Sequence, residues 1–252
     1  MAISPADDSK VRILCITPIS TTDITASLAQ LHPPTSDLDI AFIDGRGLAN
    51  CPPAINDDDQ AAGSAAAILP RAIEHIRSSA VDAVLVCCFS DHPLVAALAR
   101  TFPGLPVTGI LQAALQEATA HGGRFGIVTT SLAWEPALTR SVEDLGFAAH
   151  SAGVVSTGLG VLELGDLERR TVVDRIVESC APLVEGGAGS IILGCAGMAP
   201  LEQDIRAALP PGVITVDGVR AGIEILTRLA RGRPRAERAA KPSQEAEITC
   251  EV

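Results

Sequence analysis

Short aliphatic runs alternate along this chain with stretches whose apolar residues recur at helical spacing. VRILCITPI (11–19), LDIAFID (38–44), VDAVLVCCF (81–89) and LPVTGI (105–110) read as buried strands. Between them, Ser20-Thr21-Thr22-Asp23 carries helix-start chemistry, and 61–79 and 92–102 read as helices. A further helix runs to about His121, and the alternation then resumes. RFGIVTT (124–130), FAAHSAGVV (147–155), GSIILGC (189–195) and GVITVD (212–217) are the next strands. Helices over 131–146, 166–186 and 199–209 separate them, and a last helix covers 218–231. Strands alternating with helices predict an α/β fold with parallel sheets. GRGLANCPPAINDDDQ (45–60) reads as a long surface loop in which Asp57-Asp58-Asp59 is solvated, and Gly158-Leu159-Gly160 as a turn.

The pattern repeats internally. Cys88 ends an apolar run and is followed by Pro93-Leu94; Cys195, 107 residues on, ends another and is followed by Pro200-Leu201. Val107-Thr108 and Ile214-Thr215 keep that offset, and Arg12–Thr17 is echoed by Arg124–Thr129. The repeat predicts two similar lobes, each a parallel sheet flanked by helices, around a shared cleft. The expected layout is a loose leader (1–10), a first lobe (11–110 with 218–231), a second lobe (111–217) and a disordered tail (232–252).

Composition narrows the function classes. The apolar mass is Ala, Val, Ile and Leu, and aromatics are only 2%, which removes stacking platforms for single-stranded nucleic acid. A formal charge of −11 argues against nucleic-acid and membrane-surface partners. The acidic start MAISPADDSK is no secretory signal, and no apolar run has the length of a membrane helix. Seven cysteines without an export signal point to free thiols in a reducing cytoplasm.

A cysteine between a strand end and a helix start lies where the helix field favours thiolate, so Cys88 and Cys195 are expected to have lowered pKa values. Gly194, Ala196 and Gly197 bring backbone amides close to a ligand, and Ser90 offers a hydroxyl. Two thiols facing one small cleft suit proton removal and return on opposite faces of a carbon α to a carbonyl, which is racemisation or epimerisation without a cofactor. Cys87 falls on the opposite strand face and reads as core. Packing is the competing explanation for every cysteine. No Cys-x2-Cys pair exists, and Cys88 with His92 alone has ligand-like spacing, so no metal site is assigned. His92 could also pair with a nucleophilic Cys88, cap a helix or form cleft wall.

The segments ILCITPISTTDIT (13–25), CCFSDHPLV (87–95), PVTGILQAAL (106–115), RFGIVTTSLAWEPALT (124–139), ILGCAGM (192–198) and VDGVRAGIEIL (216–226) together carry a resemblance. The chain resembles the aspartate/glutamate/hydantoin racemase superfamily, and within it the hydantoin-racemase-like branch. That resemblance implies Cys88 and Cys195 as catalytic cysteines, two α/β lobes with the site between them, and chemistry without pyridoxal phosphate or metal. It places Ser20 and Thr21 in the first substrate loop and Thr129 and Thr130 in its counterpart. Where relatives commonly read Asn-Pro-Asn this chain has Thr17-Pro18-Ile19, so Ile19 becomes an apolar cleft-wall residue, and Gln112 stands in place of a glutamate. The implied substrate is a small hydantoin, amino-acid-like or other carbonyl or carboxylate compound; homo-oligomerisation is left open. Related two-cysteine cis–trans isomerases, arylmalonate-type decarboxylases and a non-catalytic binding protein are the alternatives.

Overall fold

The computed structural model describes residues 10–234. The expected leader and tail, with Cys250, fall almost wholly outside the described residues.

The first half builds a four-stranded parallel sheet in the order β2-β1-β3-β4. Its strands are β1 (Val11–Thr17), β2 (Leu38–Asp44), β3 (Ala83–Val86) and β4 (Val107–Gly109), with helices α1 (Asp23–Leu31), α2 (Asp58–Ser78) and α3 (Pro93–Thr101) between them. Helix α4 (Ile110–Ala120) leads to the second half. There β5 (Arg124–Thr129), β6 (Ser151–Ser156), β7 (Ala188–Gly194) and β8 (Ile214–Asp217) form a parallel sheet in the order β6-β5-β7-β8. Its helices are α5 (Trp134–Asp144), α6 (Glu163–Asp166), α7 (Arg169–Glu185) and α8 (Glu202–Ala208), and α9 (Gly218–Arg231) ends the fold. The two strand orders are the same pattern twice, so the sequence repeat is a repeat of topology.

Strand alternation sorts the core into three layers. Leu14, Ile16, Val84 and Val86 face outward onto α2 and α3. Val128, Ile191 and Leu193 face outward onto α7 and α8. The intervening positions, among them Ile13, Leu85, Ile127, Ile192 and Val216, share one central core with residues of α4 and α9. Burial on both sheet faces explains the near-continuous aliphatic strands. With both sheets parallel, the C-terminal ends of β1, β3, β5 and β7 carry the loops that form the site.

Several expected boundaries shift for local reasons. The run expected as strand 81–89 is a strand only over 83–86, because the chain turns after Cys87, with Ser90 N–H donating to Cys88 O at 3.0 Å. The expected strand 147–155 begins with a 3-10 turn (148–150), and the expected helix 199–209 is a 3-10 turn (196–201) leading into α8. The acidic run 57–59 is not a solvated loop. Asp57 caps α2 by accepting Gln60 N–H at 2.8 Å, and Asp58 and Asp59 fill its first turn, where the helix field favours anions.

Candidate active site

Cys88 and Cys195 line one cavity at the strand ends. Cys88 lies two residues beyond β3, and Cys195 follows directly on β7 and opens the 3-10 turn. Both are half-buried free cysteines. They interact electrostatically, the charge of one opposing ionisation of the other. Each is supported from two positions downstream. Ser90 Oγ lies 3.5 Å from Cys88 Sγ, and the Gly197 backbone hydrogen-bonds the Cys195 thiol.

The expectation of lowered thiol pKa values is corrected by the structure. Burial pushes Cys88 up to about 12, against the lowering effect of the Ser90 hydrogen bond. Burial likewise pushes Cys195 up to about 11, against the Gly197 hydrogen bond. The helix field does not compensate, because α3 starts only at Pro93 and Cys195 precedes a 3-10 turn. Desolvation outweighs the remaining dipoles.

The other sequence candidates separate into groups. Ile19, Thr130, Gly194 and Ala196 line the cysteine cavity. Thr129 is buried behind it and donates its hydroxyl to Gly194 O at 3.2 Å. Ser20 N–H donates to Pro52 O and Thr21 Oγ1 to Pro53 O, each at 2.8 Å, so this stretch anchors the 45–57 loop. Thr21 and Gly197 face a neighbouring cavity instead. Ser90 supports Cys88 from outside the cavity. Gly194 is a glycine because a Cβ there would meet Val128 O at 2.6 Å; strand packing, not ligand approach, excludes a side chain.

His92 is not cleft wall. It is buried at the start of α3, where Nδ1 accepts Leu94 N–H at 3.3 Å and Nε2 lies 3.0 Å from Ser64 Oγ. Ser64 Oγ donates to Ala61 O at 3.2 Å, so the network is complete with a neutral His92 that keeps its proton on Nε2. Burial pushes its pKa down to about 4. Gln112 donates to Asp91 Oδ1 at 2.9 Å and is likewise outside the cavity.

Sequence reasoning missed most of the apolar wall. Ile24 from α1, Ile55 from the 45–57 loop, Trp134 from α5, Phe89 and Val161 enclose the thiols. Cys87, read as core, is buried in the central core and also reaches the cavity; its hydrogen bond with Cys15, and burial, push its pKa well up. Thr17 was also missed, except as part of a departing motif. It lines the cavity, is 1% exposed, and its Oγ1 has no hydrogen-bond partner. A buried hydroxyl left unpaired is costly and marks a place for a ligand atom. Its signal in the sequence was a polar residue at the end of an otherwise aliphatic strand. No charged side chain lines this cavity, and among the described residues no group of three or more His, Cys, Asp or Glu is placed to hold a metal ion.

The family model described as Asp/Glu/Hydantoin racemase matches residues 13–226. The chain belongs to this family. An uncharacterized protein of Schizosaccharomyces pombe is 37% identical over 228 residues, 88% of this chain and 92% of its own length. The hydantoin racemase of Rhizobium meliloti is 36% identical over 149 residues, 59% of this chain and 60% of its own. Among solved structures, allantoin racemase from Klebsiella pneumoniae superposes with a TM-score of 0.77 at 29% identity, covering 96% of this chain and 97% of its own. The two-lobed racemase fold is therefore the fold of this chain, and the cavity lies where its two sheets present equivalent loops. Among the described residues no helix is long and apolar enough to cross a membrane.

Proposed function

We propose that this protein is a cofactor-independent racemase or epimerase of a hydantoin-like carbon acid, working by proton transfer between Cys88 and Cys195. The observation that carries the reading is that both thiols line one small cavity from equivalent ends of the two sheets. One cysteine, as thiolate, takes the proton from the carbon α to the carbonyl, leaving an enolate. The other, as thiol, gives a proton to the opposite face. The two cysteines exchange protonation states, and no electrons are gained or lost.

The electrostatics support an acid–base pair rather than two bases. Since a charge on one thiol opposes ionisation of the other, the pair carries at most one thiolate. Thr17 Oγ1, Thr130 and the backbone amides around Ala196 are the groups available to polarise the carbonyl and hold the enolate oxygen. A cavity without charged side chains favours a neutral ring over a free amino acid or dicarboxylate, whose charges would be desolvated without partners. This reading places the enzyme in the reducing cytoplasm, where both thiols stay free, and requires neither metal nor pyridoxal phosphate.

The test is α-proton exchange in D2O with enantiopure 5-substituted hydantoins, followed by NMR and optical rotation. Exchange with loss of rotation in the native protein, abolished in both Cys88→Ser and Cys195→Ser, is the expected result. Turnover that survives loss of either cysteine would overturn the two-thiol mechanism.

A further inference from the structure

The cavity around the two thiols has a free volume of only about 40 Å3, far below the roughly 300–1,000 Å3 of sites that hold small molecules. Directly beside it lies a second cavity of about 400 Å3. Ile24, Val161 and Ala196 line both, so these three residues form the partition. Ala196 is backbone-fixed beside Cys195, and Ile24 sits on α1. Val161 differs from both, because it lies on the irregular segment between β6 and α6.

That segment is held at its base and bridged at its tip. Thr157 N–H donates to Thr129 O at 2.8 Å and Gly158 N–H to Thr130 O at 3.0 Å, so its root is tied to the end of β5. Gly158 then takes φ +75°, a left-handed conformation that favours glycine. Gly160 N–H donates to Glu163 Oε2 at 2.6 Å. Val161 follows, half-buried, with the thiol cavity on one side and a groove against Pro52 and Pro53 on another. The 157–162 segment is thus a strap at the edge of the thiol cavity, and Val161 is the one of its residues that lines that cavity.

We infer that the site in use is the two cavities joined, and that Val161 governs how large a substituent on the reacting carbon can pass from the thiol cavity into the second one. The inference rests on the racemase reading for its substrate but not for its geometry. Ring and carbonyl stay among Thr17, Thr130 and the thiols, while the substituent displaces Val161 and runs past Ile24 into a cavity lined by Leu162, Leu164 and Leu167 as well as by Asp23, Asp166 and Arg169. The width of the partition then sets substrate preference, with each added or removed carbon at position 161 changing selectivity.

Val161→Ala and Val161→Phe test this in the full chain. The ratio of kcat/KM for 5-benzylhydantoin over 5-methylhydantoin is expected to rise about tenfold in Val161→Ala and fall about tenfold in Val161→Phe, the scale set by one to a few carbons in a pocket. A ratio unchanged in both overturns the inference. A second readout needs no turnover: alkylation of Cys88 and Cys195 by N-phenylmaleimide relative to iodoacetamide, followed by mass spectrometry. That ratio should rise in Val161→Ala and fall in Val161→Phe, and equal ratios in all three proteins overturn the inference. If the native protein exchanges no hydantoin proton, the racemase reading fails while the alkylation ratio still decides the role of Val161.

Discussion

Ser90 Oγ sits 3.5 Å from Cys88 Sγ, and it is the one neighbour that draws this thiol's pKa down while burial pushes it up. A single hydrogen bond of this kind is worth about 1 kcal/mol. Ser90→Ala is therefore expected to slow iodoacetamide modification of Cys88 by about 3- to 10-fold at fixed pH, with Cys195 unchanged as internal control. Equal slowing at both cysteines would show a general change in access instead.

Both thiols are neutral near pH 7, Cys195 having been pushed up to about 11 and Cys88 to about 12. The base is then a minor species whose population grows with pH. Proton exchange should rise about tenfold per pH unit from 7 to 9 without a plateau, since each unit multiplies the thiolate fraction by ten. A plateau near neutrality, measured by NMR exchange, would mean that the base has a pKa far below the values to which burial pushes these thiols; its loss in Cys88→Ser or Cys195→Ser then tells a cysteine base from another group.

The orphaned hydroxyl of Thr17 predicts opposite effects on stability and activity. Thr17→Val keeps the shape and removes a buried polar atom that has no partner. Stability measured by denaturant titration should hold or rise by about 1 kcal/mol. KM for the substrate should rise at the same time, because the hydroxyl is kept for a ligand. A loss of stability would show that Thr17 is structural.

Two buried groups give the fold an opposed pH dependence. The folded pKa of His92 is depressed to about 4 from 6.5, so its contribution is present above 6.5 and is lost as pH falls through 4, about 3 kcal/mol in all. Asp217, which caps α9 by accepting Val219 N–H at 2.7 Å, is raised by burial from 3.8 to about 6. Its contribution is present below 3.8 and is lost as pH rises through 6, again about 3 kcal/mol. The two slopes oppose each other between pH 4 and 6. Asp217→Asn keeps the cap and removes the titration, so its stability should fall with acid more steeply than that of the native chain over this range. Parallel profiles in the two proteins would refute the assignment.

Gly194 and Gly197 should respond differently to alanine. A Cβ at 194 meets the Val128 carbonyl at 2.6 Å, backbone that cannot yield; at 197 its nearest neighbour is the Leu164 Cδ1 end at 3.0 Å, with Cys195 Sγ at 3.6 Å and Ile24 Cδ1 at 3.7 Å in ordinary contact. Gly194→Ala should cost about 1–3 kcal/mol and lower Tm by about 2–4 °C per kcal/mol, while Gly197→Ala stays close to native by thermal unfolding.

The pairing of Cys88 with Cys195 was legible in the sequence because topology repeats. Each thiol ends an apolar run, and each is followed five and six residues later by proline and leucine. Strand and helix identity was legible too, since aliphatic runs buried on both faces leave a strong signal. Ile24 and Val161 were not legible as neighbours, although both close the same cavity. They come from a helix and a strap in different lobes, and nothing local marks them. Of the roles the sequence left open for His92, the structure bears out the helix cap and not the cleft wall, because its other partner, Ser64, lies 28 residues earlier, on α2.

By itself, then, the amino-acid sequence determined the alternation of elements, the twofold repeat and the two thiols at equivalent strand ends, all properties of local pattern and spacing. Only the tertiary structure decided the electrostatic state of those thiols, the orphaned Thr17 hydroxyl and the Val161 partition. Burial and unpaired groups depend on which distant segments enclose a side chain, and desolvation there outweighed the local helix field that the sequence alone suggested.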